Sequence, residues 1–251
     1  MFEQEKLIVF VATHKKFEQK LPECYKSLLV GSYNKKDITE YIRDDTGDNI
    51  SLKNPNYCEL TGFYWIWKNV NSEYVGLCHY RRYFCKRYGK ILEEEDIMKY
   101  LENNDIIVAK TFYNKKNVYE YFKEKHNIKD LDNCKKVIEK LYPEYIDSFN
   151  EMISGNGICG CNMLISKKEI FDSYCKWLFT IMSELEEITD MSDYDDYQKR
   201  LYGFLSERLF SVWLKHNNFK VKECTIWMTE STRAQHIKRC LNEEKKKILY
   251  K

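Results

Sequence analysis

Apolar positions along the chain alternate between short unbroken runs and helical stripes. Residues 6–13 (KLIVFVAT) form a β-branched run that ends in a polar turn, the pattern of a strand buried on both faces. A polar stretch follows, up to the turn-rich residues 44–50 (DDTGDNI). Behind an Asn54-Pro55 start, Leu60, Tyr64 and Trp67 recur at helical spacing and predict a helix over residues 57–68. Residues 73–78 (EYVGLC) predict a second buried strand, which empties into HYRRYF at 79–84. A short helix at 96–102 and a third strand at 105–109 (DIIVA) come next, then a charged helical pattern over 118–149. Residues 155–166 return to strand through a turn containing glycines, read as a mobile element. Over 168–187, Phe171, Tyr174, Cys175, Leu178 and Met182 fall near one face of a helix, and 202–216 predicts another.

Strand, helix, strand alternation in the first half predicts an α/β fold with a mostly parallel sheet, flanking helices and a helical C-terminal part. No internal repeat and no Pro/Gly/Ser-rich linker divides the chain, so the expectation is one domain over residues 1–228 with a charged helical tail at 229–251. In such sheets ligands bind beyond the C-terminal strand ends. That rule brings Thr13 and His14, the turn from Asp44 to Asp48, and His79 to Arg82 to one crevice.

Composition narrows the function. Apolar residues at 43% and charged residues at 32% of 251 belong to a folded globular chain. A net charge of +2 argues against a nucleic-acid partner. No apolar run reaches the roughly 18 residues of a membrane span. The start, MFEQEK, is acidic where a secretion signal is basic. The ten cysteines then read as reduced thiols of a cytoplasmic protein, and the C-x-C of Cys159 and Cys161 lacks structural-zinc spacing. The aromatic share of 15% suits a cleft that holds rings, or else reflects an AT-rich genome.

The order of apolar strand, acidic turn, Asn-containing helix, strand and polar signature resembles the first half of GT-A glycosyltransferases, whose fold is Rossmann-like. The blocks GDNISLKNPNYCELTGFYWIWKN, EYVGLCHYRRYF, GNGICGCNMLISKKEIF and RLYGFLSERLFSVWL resemble more closely a bacterial family of capsular and exopolysaccharide glycosyltransferases, catalogued as domain of unknown function 4422. The resemblance spans most of residues 5–228. Some members are similar to galactofuranosyltransferases. It implies a UDP-hexose donor, galactofuranose among the candidates, and a glycan or lipid-linked glycan acceptor. It also implies a cytoplasmic site of action, with at most peripheral contact at the inner membrane face.

Most GT-A enzymes carry a D-x-D metal motif where this chain has His79-Tyr80-Arg81-Arg82. The guanidinium fork binds phosphate oxygens in a bidentate way. Arg81 and Arg82, with His79, are therefore expected to hold the leaving diphosphate without a required cofactor. The competing expectation places magnesium or manganese at Asp44, Asp45 and Asp48, or at Asp193, Asp195 and Asp196. An inverting transferase needs a base for the acceptor hydroxyl, and Glu207 fits the position near a late helix, with Asp195 and Asp196 behind it. Expected donor contacts are Thr13, His14, Asp44, Asp45, Asp48, Asn49, Asn54, Tyr57, Glu59 and Tyr80. Expected acceptor contacts are Gly157, Cys159, Gly160, Asn162, Asp195 and Asp196. Two other classes stand beside this one: a metal-dependent phosphohydrolase or phosphotransferase working at the Asp44 turn, and a non-catalytic carbohydrate-binding protein.

Overall fold

The apolar run near the N-terminus becomes β1 (Leu7–Thr13), every residue of which is buried. The fold is that of a computed structural model describing residues 5–86 and 89–251; most of the acidic MFEQEK start lies outside them. β1 takes β2 (Tyr25–Leu29) alongside it in parallel, Val9 opposite Tyr25, and β2 carries the short β3 (Ile42–Arg43). Helices α1 (Asn54–Tyr57) and α2 (Leu60–Asn69) cross over to β4 (Tyr74–His79), which is parallel to β1 with Ala12 opposite His79. The expected single helix is broken at Cys58, whose φ of 51° no α-helix accommodates.

Tyr80 and Arg81 then reverse the chain into β5 (Arg82–Cys85), antiparallel to β4 with His79 opposite Arg82. After α3 (Glu94–Leu101) come β6 (Ile106–Ala109) and β7 (Phe112–Tyr113). The charged stretch resolves into α4 (Val118–Lys125), α5 (Ile128–Leu141) and α6 (Ile146–Ser154), followed by β8 (Gly157–Ile158) paired to β7. β9 (Leu164–Lys167) lies antiparallel between β4 and β6. The chain closes with α7 (Lys168–Ile188), α8 (Leu201–Asn217), β10 (Val221–Met228) and α9 (Arg233–Tyr250). β10 is parallel to β6 and antiparallel to β5.

The architecture is thus α/β, but the sheet is mixed where a mostly parallel one was expected. A two-residue reversal can join only antiparallel neighbours, which fixes β5. β9 enters between β4 and β6 in the opposite sense, and Gly76 of β4 makes room for it: a Cβ there would sit 2.6 Å from Ile165.

Side chains alternate across β1 to feed two cores. Ile8, Phe10 and Ala12 join the helices on one face. Leu7, Val9 and Val11 join Cys78, Phe84 and Ile107 on the other. On α7, Phe171, Tyr174, Cys175, Leu178 and Met182 all enter the first core as their spacing predicts. The C-terminal segment is a helix of 18 residues that packs against β7 and β10.

Candidate active site

A cleft of about 850 Å³ opens at the C-terminal ends of β1 and β4. His14 and His79 line it from those strand ends, Asn54 and Glu59 from the α1–α2 corner, Arg82 from β5, and Glu207 from α8. Helical spacing sorts α8: Gly203, Phe204, Glu207 and Arg208 line the cleft, whereas Leu205, Leu209 and Val212 enter the core.

The turn before β9 ties these groups together. Cys161 and Asn162 both have left-handed backbone, with φ of 75° and 43°. The Cys161 N–H donates to Glu207 Oε1 at 2.8 Å, and its carbonyl lies 2.6 Å from His79 Nε2. A carbonyl only accepts, so Nε2 carries the proton of the His79 ring. The Asn162 amide donates to Glu59 Oε1 at 2.7 Å and to Ser206 Oγ at 2.8 Å. The two carboxylates of the cleft, Glu59 and Glu207, are therefore held by consecutive residues of one strained turn. The strain falls on Cys161 and Asn162, not on the glycines beside them, none of which has positive φ.

Cations dominate the rest of the lining. Arg208 is 5% exposed; its Nη1 donates to the Phe204 carbonyl at 2.9 Å and to Glu207 Oε2 at 3.1 Å. Its guanidinium lies over the Phe122 ring, and burial works against its charge while Glu207 supports it. Arg200 Nε contacts Cys58 Sγ at 3.3 Å, and Lys125 completes the group. Among the described residues Arg82 has no carboxylate partner. The Cys161 thiol is pushed up to about 11 by burial, although Arg82 opposes the shift, so it stays protonated near neutrality. His14 is held below the ordinary imidazole range by burial and by the charges of Lys35, Lys15, Arg81 and Arg200. His126 packs between Phe122 and Phe204 and is lowered to about 4, chiefly by burial.

Of the residues singled out in the sequence, His14, Asn54, Glu59, His79, Arg82 and Glu207 line this cleft. The adjacent arginines part company: Arg81 belongs to the two-residue reversal, whereas Arg82 opens β5. Arg81 pairs with Glu230 at 3.1 Å and lies over Tyr80, outside the cleft. Tyr80 packs edge-on against His14. Thr13 is buried, its hydroxyl donating to the Lys15 carbonyl. Asp44 is fully buried and accepts from Gly31 N, Ser32 N, Ser32 Oγ and Ser51 Oγ, which makes it an anchor of the loops and not a donor contact. Asp45 pairs with Arg43, Asp48 accepts from Tyr64, and Asn49 bonds within its own turn. Tyr57 stacks on Tyr202 on the far side of α1.

The expected acceptor contacts are scattered. Gly160 and Cys161 touch the cleft region, and Asn162 is buried behind it. Cys159 is buried with its thiol on the Ala109 carbonyl, and Gly157 pairs with Tyr113 in β8. Asp195 accepts from Gln198 N in an exposed turn, and Asp196 is fully exposed beside Lys199. Arg200, Arg208 and His126 were not among the expected site residues. The signal for Arg208 was its place directly after Glu207 on a cleft-facing helix.

Among the described residues the cleft is lined by two carboxylates, Glu59 and Glu207, each already accepting a hydrogen bond from the turn before β9. Among the described residues no three His, Cys, Asp or Glu side chains converge as a metal site. Asp44 is consumed by hydrogen bonds, and the strand end that would carry acidic ligands presents His79 and Arg82. Among the described residues all ten cysteines are free thiols, and no helix is long and apolar enough to cross a membrane.

The family described as "Domain of unknown function (DUF4422)" matches residues 8–218, and the chain belongs to it. Its structure is similar to one titled "WbbM bifunctional glycosytransferase apo structure", with a TM-score of 0.84 and 32% sequence identity. That likeness covers 90% of this chain and 46% of the other, so this chain spans less than half of that protein's length. Among curated proteins none matches.

Proposed function

We propose that the chain is a glycosyltransferase that moves a hexosyl unit from a UDP-sugar to a hydroxyl of a growing glycan, with galactofuranosyl as the leading candidate for the sugar. The observation that carries this reading is that Arg82 and Glu207 line one cleft at the strand ends, joined to the likeness to a glycosyltransferase at 32% identity. The donor diphosphate lies against Arg82, with Arg200 and Lys125 as further cations of the lining. As the acceptor oxygen bonds to the anomeric carbon, the bond from that carbon to the diphosphate oxygen breaks. The acceptor proton passes to Glu207, and the negative charge on departing UDP is stabilised by Arg82. Fixed cations in a partly dry cleft need no reorganisation as that charge develops. Glu207 is oriented for its role by Cys161 N–H and Arg208. Attack from the face opposite the leaving group inverts the anomeric centre.

The test is UDP release across a panel of nucleotide sugars, run with and without EDTA. Release from one UDP-hexose, unchanged by chelator and lost in Glu207→Gln, is the expected result. A folded protein that fails to bind UDP in a calorimetric titration, or that releases inorganic phosphate without a sugar acceptor, would remove the reading.

A further inference from the structure

The two carboxylates of the cleft are held differently. Glu207 has both oxygens occupied, Oε1 by the Cys161 N–H and Oε2 by Arg208. Glu59 accepts one bond, at Oε1, from Asn162. Among the described residues it has no ion pair, although Arg82, Arg200 and Lys125 line the same cleft. Its Oε2 is neither sealed in the interior nor hydrogen-bonded among the described residues. Asn162 is built to present it. This residue is 1% exposed and has a left-handed φ of 43°. Its amide nitrogen donates to Glu59 and to Ser206 Oγ, and that hydroxyl donates on to the Gly203 carbonyl. The amide oxygen is buried without a partner among the described residues. A buried acceptor left unbonded is destabilising, and it is explained when the amide is placed for what its nitrogen holds.

A free carboxylate oxygen decides what can lie against it. A diphosphate cannot, because like charges brought together in a cleft repel strongly. Hydroxyls can, since each donates a charge-assisted hydrogen bond. A UDP-sugar carries hydroxyls on its ribose and on its hexosyl unit, and the shared turn tells these apart. Asn162 and Cys161, which hold Glu59 and Glu207, are consecutive, and both carboxylate charges act on the Cys58 and Cys161 thiols. Whatever touches Glu59 is thus near the group that reacts at Glu207, whereas the ribose lies beyond the diphosphate. Given the transferase reading, on which this rests, we propose that Glu59, presented by Asn162, reads the hydroxyls of the transferred sugar. It restricts the donor to uncharged hexoses and excludes those that carry a carboxylate.

The experiment titrates the full chain with UDP and with two matched pairs, UDP-galactose against UDP-galacturonic acid and UDP-glucose against UDP-glucuronic acid. Within a pair the sugars differ only at C6, hydroxymethyl in one and carboxylate in the other. In at least one pair the parent should bind the neutral donor tenfold or more tightly than the acid. Glu59→Gln keeps an oxygen for Asn162 and removes only the charge, so that ratio should fall to about threefold or less. Its UDP affinity, which also reports that it is folded, should stay within about threefold of the parent. Asn162→Gly accepts the left-handed backbone but drops the amide, and should lower the ratio in the same direction. Equal binding within both pairs by the parent, or a ratio unmoved by Glu59→Gln, overturns the proposal while UDP binding stands. A Glu59→Gln protein that keeps the ratio but loses turnover with every donor also overturns it, by making Glu59 the base. A parent that does not bind UDP at all strikes the transferase reading, and this one with it.

Discussion

Cys161 donates its backbone N–H to Glu207 Oε1 at 2.8 Å from a φ of 75°, a conformation that L-residues other than Asn, Asp and Gly seldom adopt. The strain is the cost of aiming that N–H into the cleft, and backbone held this way stores roughly 1–3 kcal/mol. Cys161→Val, β-branched where φ is positive, should destabilise the fold by about that amount, and Cys161→Gly should leave it near or above the parent. Urea denaturation of the three proteins checks the order. Valine equal to glycine would show that the turn carries no strain.

Glu207 should matter for turnover and little for donor affinity. Glu207→Gln keeps an oxygen for the Cys161 N–H but removes the base, so kcat should fall by roughly 10²–10⁴. The UDP dissociation constant should stay within about threefold of the parent. Wild-type turnover from this variant would move the base elsewhere, with Glu59, held by Asn162 of the same strained turn, the next to test.

The neighbouring arginines should behave unlike each other. Arg82→Ala removes a cation aimed at the cleft and should cost roughly 2.7–4 kcal/mol of transition-state stabilisation. Arg81→Ala breaks an exposed pair with Glu230, worth at most about 1 kcal/mol, and a contact with the Tyr80 ring, both outside the cleft. Measuring kcat/KM for both variants decides it, and equal losses would return Arg81 to the site.

Asp44 should report on stability, not on binding. Its carboxylate accepts four hydrogen bonds while fully buried, and bonds to a charged group are worth about 1.5–3 kcal/mol each before compensation. Asp44→Ala should lower unfolding free energy by about 3 kcal/mol or more, with UDP affinity preserved in whatever remains folded. A stable variant that has lost UDP binding would contradict this.

His126 gives the protein a pH signature. Its folded value of about 4 lies below the ordinary 6.5 because burial penalises the imidazolium. The unfolded chain takes up a proton before the folded one does, so the neutral packed ring supports the fold fully above about 6.5 and progressively less as pH falls toward 4. His126→Phe, which keeps a ring between Phe122 and Phe204, should show a shallower loss of melting temperature over that window. Parallel curves for parent and variant would exclude the effect.

The α/β class, the β1 and β4 strands and the strand-end crevice were legible because unbroken apolar runs and 3.6-residue stripes report burial directly. β2, β5 and β10 were not, since each mixes half-buried with buried positions; β10 is only half-buried at all but Cys224. That Glu207, His79 and Arg82 line the cleft could be read because strand ends and a late helix face it. The separation of Arg81 from Arg82 could not be seen, because it depends on a reversal at Tyr80 and Arg81 that no Gly or Pro marks. The burial of Asp44 was hidden because acidic turns are usually solvated, and only the hydrogen bonds from Ser32 and Ser51, on either side of it in the chain, show that this one is not.

Arg208 has a consequence for how the cleft responds to its surroundings. Mobile ions screen charges across water over about 8 Å at physiological ionic strength, and Arg208, 5% exposed and set between Phe122 and Glu207, is screened less than the exposed cations of the cleft. The field of that guanidinium reaches an arriving anion through protein instead of through electrolyte. Added sodium chloride should therefore weaken the part of UDP binding carried by exposed Lys125 while leaving the Arg208–Glu207 pair in place.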